Sequence, residues 1–64
     1  MKLNIYASQF ELDTKSKILH SAQKLFAKKG FDGTTTKDLA TDAGVAEGTL
    51  FRYFNNKKAI LVEV

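Results

Sequence analysis

Five residues in one short stretch, Glu47, Gly48, Thr49, Phe51 and Arg52, are of the types that read the edges of DNA bases. A carboxylate such as Glu47 accepts from the amino group of cytosine, and a guanidinium such as Arg52 pairs bidentately with guanine. Thr49 can hydrogen-bond a base or turn its methyl toward thymine. Gly48 lets the backbone approach a base edge that a larger residue would hold off, and Phe51 offers an apolar contact. Three of these keep a second reading. Glu47 equally suits the positive end of a helix, Arg52 can hold a phosphate, and Phe51 is either groove-facing, the preferred reading, or core. A second set, Lys15, Lys17, Thr36, Lys37, Tyr53, Lys57 and Lys58, can hold phosphates, which fix register and orientation without carrying sequence information.

The elements that must position these residues run from Thr35 to Phe54. Thr35 followed three residues on by Asp38 approximates a capping box at the start of a short helix. Leu39 and Ala43, four apart, share one face of it, with Ala40 beside them. Gly44 sits where that helix must stop and the chain turn, a position that favours a residue tolerating positive φ. Beyond the turn, Val45, Leu50 and Phe54 supply the apolar side of a second helix. At about 100° per residue, Leu50 and Phe54 fall on the core side while Gly48, Thr49 and Arg52 point away. Two short helices around a glycine turn form a helix-turn-helix, whose second helix characteristically enters the major groove.

Upstream, Asp13 or Thr14 is expected to cap a helix running to about Lys29. Ile18, Leu19, Ala22, Leu25 and Phe26 form its apolar stripe, with Lys24, Lys28 and Lys29 on a solvated face. Gly30 ends it, and Phe31 can fold back onto Phe26. Residues 1–13 form an arm in which Leu3, Tyr6 and Phe10 have helical spacing without a cap; fraying or packing is expected of it more than DNA contact. Asn56 is the expected N-cap of a further helix beginning at Lys57, where free amides also favour an anion. The fold expected is all-α: an N-terminal arm 1–13, a three-helix, homeodomain-like DNA-binding head 14–54 containing the helix-turn-helix 35–54, and the start of a fourth helix at 55–64.

Sixty-four residues make at most one small domain, and a chain of that size buries only roughly 60% of its unfolded surface. With no cysteine, neither a disulfide nor a cysteine-rich zinc site can reinforce it. The net charge of +3 is modest, but residues 14–31 hold five lysines and no acid, an imbalance that suits an anionic partner. No segment has the length or polarity pattern of a signal peptide or membrane span, and a cytoplasmic location is expected.

The run from Ala43 to Phe54, with Asn56-Lys57 after it, resembles the N-terminal domain of the tetracycline-repressor (TetR/AcrR) family of bacterial transcription regulators. Ile18-Leu19, Ala22, Leu25-Phe26, Gly30-Phe31, Thr34-Thr35 and Leu39-Ala40 match that pattern in register, so the resemblance covers roughly residues 14–62. It implies a DNA-reading head, a fourth helix leading to a larger helical domain outside this chain, a homodimer formed through that domain, and a small-molecule effector bound there. A near-palindromic operator and a repressor are implied in turn. Three positions depart from the pattern: Ala46 stands where serine commonly caps the recognition helix, Phe51 where tyrosine is common, and Lys58 where an acid is frequent.

An enzyme is hard to build from these residues. His20 is the sole histidine, no phosphate-binding glycine loop exists, and Asp38 and Asp42 are read as a solvated pair rather than a metal site. No catalytic residue, cofactor or metal is assigned. The alternative to DNA reading is a small helical protein-interaction module docking through residues 59–64 and the arm.

Overall fold

A computed structural model describes residues 2–64, with side chains described from Asp13 onward. Among the described residues there are four helices and no strand: α1 (Lys2–Lys29), α2 (Thr36–Ala43), α3 (Glu47–Tyr53) and α4 (Lys57–Glu63). This is the all-α architecture expected, with α2 and α3 forming the helix-turn-helix. Helix α1 begins earlier than expected. It runs unbroken through Asp13 and Thr14, so neither is its N-cap. No glycine or proline interrupts residues 2–29, and aspartate or threonine inside an exposed helix costs only about 0.7 kcal/mol or less against alanine. Asp13 instead pairs one turn on with Lys17 at 3.9 Å. The packing expected of Leu3, Tyr6 and Phe10 lies outside the described side chains. No described helix is long and apolar enough to cross a membrane.

The core gathers one or two residues from each element: Ile18 and Ala22 from α1, Leu39 and Ala40 from α2, Leu50 from α3, Phe54 just after it, and Ile60 from α4. Leu19, Leu25, Phe26 and Val45 pack around them, half-buried. The end of α1 is closed locally. Gly30 takes φ +81° and its amide donates to the Phe26 carbonyl at 2.9 Å, while Phe31 folds back to put its ring 5.3 Å from that of Phe26. Thr34, fully buried, directs its hydroxyl at the carbonyls of Gly30 (2.7 Å) and Leu25 (3.2 Å). A single hydroxyl proton is thus shared between two carbonyls at the end of α1.

The capping box of α2 is present in both directions: the Asp38 amide donates to the Thr35 hydroxyl at 3.0 Å, and the Thr35 amide to the Asp38 carboxylate at 3.1 Å. The same carboxylate accepts from Lys29 at 3.0 Å, and Asp42 pairs with Lys24 at 3.0 Å. Asp38, Asp42, Lys24 and Lys29 are therefore not simply solvated faces. They form two bridges across the α1–α2 seam, because α2 packs its acidic side beside the basic side of α1. The Lys29 hydrogen bond, then those from Thr35, hold the Asp38 carboxyl down to about 2, and the buried Ser21 hydroxyl, followed by Lys24, holds Asp42 below its ordinary value. Both shifts are depressions, so their stabilising effect is present above the ordinary carboxylate pKa and disappears as acid protonates the folded form.

Helix α3 starts without a side-chain cap, since Ala46 has none to offer, whereas Asn56 caps α4 by accepting from the Ala59 amide at 2.8 Å. Ala46 already has the extended backbone of an N-cap, φ −70° and ψ 150°. Ala46→Ser is accordingly expected to stabilise the chain by about 1 kcal/mol, raising the midpoint of a thermal melt by about 4–8 °C. An unmoved midpoint would mean that solvent already satisfies the first amides of α3 equally well.

Candidate nucleic-acid interface

Three features set the posture of α3. Gly44, at φ +76°, ends α2 in the left-handed region, and the Val45 amide reaches back to the Ala40 carbonyl at 2.9 Å, a six-residue closure that fixes the turn. Leu50 is the single fully buried residue within α3, and Phe54, at its C-cap, is buried on the same side. With both held in the core, the opposite flank of the helix faces solvent. Glu47, Gly48, Phe51 and Arg52 are all exposed. Phe51 keeps 45% of its surface accessible, which excludes the core reading of that ring. Thr49 is half-buried, less open than its position on the helix suggests. Tyr53 is half-buried against the core cluster.

The cations divide into engaged and free. Lys15 pairs with Glu63 of α4 at 3.2 Å and lies 5.6 Å above the Phe54 ring; Lys17 pairs with Asp13. Lys57 donates to the Phe31 carbonyl at 2.6 Å and its ammonium sits 4.2 Å over the Phe31 ring. That side chain ties the start of α4 to the α1–α2 turn. Among the described residues no acid pairs with Lys37, Arg52 or Lys58, all of which are exposed. Lys37 borders a shallow groove between α1 and α2 with Leu25, Lys29, Asp38, Thr41 and Asp42. Thr36 is half-buried and its hydroxyl donates to the Glu47 carboxylate at 2.8 Å, joining the first residues of α2 and α3. Neither this bond nor the one from Lys57 was foreseeable from local spacing, since each joins the start of one helix to a distant turn or helix start.

Residues 18–64 match the sequence profile of the bacterial regulatory proteins of the tetR family. The chain belongs to the tetR family. It is similar to the uncharacterized HTH-type transcriptional regulator YvkB of Bacillus subtilis, 46% identical over 48 residues, which cover 75% of this chain and 25% of that protein. It is also similar to IcaR of Staphylococcus aureus, described as an HTH-type negative transcriptional regulator of the biofilm operon icaADBC, 41% identical over 46 residues, 72% of this chain and 25% of that protein. A tetR-family crystal structure from Shewanella sp. PV-4 superposes with a TM-score of 0.77 at 46% identity, over 78% of this chain and 27% of the other. This tetR-family chain thus spans about a quarter of the length of these relatives. It is a helix-turn-helix DNA-binding domain of a transcriptional regulator, in a family that is not enzymatic.

Proposed function

We propose that this domain is the sequence-specific reading head of a ligand-responsive repressor, with α3 lying in the major groove of a near-palindromic operator. The observation that carries the reading is the exposed flank of α3, on which Gly48 and Arg52 stand clear of any protein partner among the described residues, while Leu50 pins the other side. Arg52 and Thr49 supply base contacts, Glu47 an acceptor, Gly48 the close approach and Phe51 an apolar surface toward thymine methyls. Lys37 and Lys58, exposed and without an acid partner among the described residues, are assigned to phosphates; Lys15 and Lys17 would have to exchange their carboxylate partners to join them, while Lys57 could add a phosphate to its bond with Phe31. The Tyr53 hydroxyl completes the set with Thr36, whose hydroxyl would have to leave Glu47 to reach a phosphate. A homodimer formed through a region outside residues 1–64 would place two heads on half-sites about 34–36 Å apart, and an effector bound in that region would release them. Repression is supported by the description of IcaR as a negative regulator.

Binding-site selection from randomised duplex DNA tests this directly. A consensus is expected, and Arg52→Ala should change it rather than merely weaken binding. Affinity should fall with salt at a slope of about −0.9 per phosphate neutralised, with roughly three to five such contacts per head. Binding that is indifferent to salt and returns no consensus would favour a protein-interaction module instead.

A further inference from the structure

The hydrogen bond from Thr36 to Glu47 joins two residues that the groove reading treats as separate contacts. A threonine hydroxyl has one proton to donate, and here it is directed at the Glu47 Oε2 at 2.8 Å. While that bond stands, Thr36 has no proton left for a phosphate. Glu47 is the first residue of α3 and exposed, so without a tether its carboxylate would sample several rotamers. The tether holds one oxygen and leaves Oε1 open. An ionised carboxylate is acceptor-only. Set against guanine O6 and N7 or thymine O4 it meets another acceptor and is rejected, which makes it a filter as well as a contact. Adenine offers an amino group but places the N7 acceptor beside it, whereas cytosine presents the N4 amino donor alone.

Resting on the groove reading given above, we propose that Thr36 is a positioning residue for base readout: it aims the Glu47 carboxylate so that the head of α3 selects a cytosine amino group at one operator position. Ordering the carboxylate before DNA arrives removes part of the cost of ordering it on binding. The bond thereby turns a flexible surface acid into a defined reader.

Binding-site selection and salt titrations on the protein and its T36V, T36S and E47A variants test the assignment, with circular dichroism confirming that each is folded. Glu47→Ala should lower the cytosine preference at one position about tenfold, and Thr36→Val, of similar shape but without the proton, at least about threefold at that same position. Preferences elsewhere and the salt slope should be unchanged in T36V, and Thr36→Ser should retain the wild-type consensus. The T36V/E47A pair should be no less selective than E47A alone, since both remove one device. Uniform weakening on every duplex with a flatter salt slope in T36V would make Thr36 a phosphate donor and overturn the proposal. An unaltered consensus in T36V or E47A would overturn it too, leaving the groove reading intact. A wild-type selection without any consensus would remove both.

Discussion

Leu50→Ala is expected to cost about 2–5 kcal/mol and to leave much of the protein unfolded at room temperature. Leu50 is fully buried and is the only residue inside α3 that is. A seven-residue helix cannot persist by itself, because isolated helices shorter than about 12–15 residues are marginal in water. Its helicity therefore depends on the grip of Leu50 and of Phe54 at its end. The loss must be set against total stability, which for native domains is about 0.05–0.15 kcal/mol per residue. For so short a chain that leaves little reserve. Urea titration followed by circular dichroism should show a lowered midpoint, and DNA binding should fall with the folded fraction. Phe51→Ala, one residue on but exposed, should leave the urea midpoint nearly unchanged. Equal stability losses at the two positions would mean that α3 is not anchored through its Leu50 side.

The features legible in the sequence are those closed within a few residues. The Thr35–Asp38 box, the Gly44 stop and the Asn56 cap each depend on partners three or four positions away, so residue type and spacing determine them. The apolar stripe of α1 is legible for the same reason. What could not be read joins residues brought together by docking. Lys24–Asp42 and Lys29–Asp38 look like unrelated surface charges until α2 lies along α1. Thr34 looks like an ordinary turn residue until the α1 terminus offers it two carbonyls. Asp13 and Thr14 suggest a helix start because they are good caps, yet a helix already in progress has no need of one there. At the candidate interface, helical phase sufficed to turn Gly48 and Arg52 outward. It could not reveal that Thr36 spends its one hydroxyl proton, and Lys57 one of its three, inside the protein.

Gly48→Leu should move folding and DNA binding in opposite directions. The glycine is not required by the fold. A Cβ built at Gly48 meets nothing within 4 Å, and its backbone is not in the left-handed region. Gly33 differs sharply, since a Cβ there would strike the Lys29 carbonyl oxygen. Glycine in a helix costs up to about 1 kcal/mol against alanine through backbone entropy, so α3 carries a penalty that its own packing does not explain. A helix lying close against base edges does explain it, because side-chain atoms added at this point would stand between backbone and DNA. Gly48→Leu, and to a smaller degree Gly48→Ala, should therefore raise the melting midpoint while reducing affinity for the selected operator. For leucine the loss should reach at least about tenfold, comparable to one mismatched base pair at about 1–3 kcal/mol. Fluorescence anisotropy on the operator duplex, beside thermal melts of the same samples, reads both quantities. Leucine tolerated without loss of affinity would place this part of α3 away from the floor of the groove, and the exposed glycine would then need another cause.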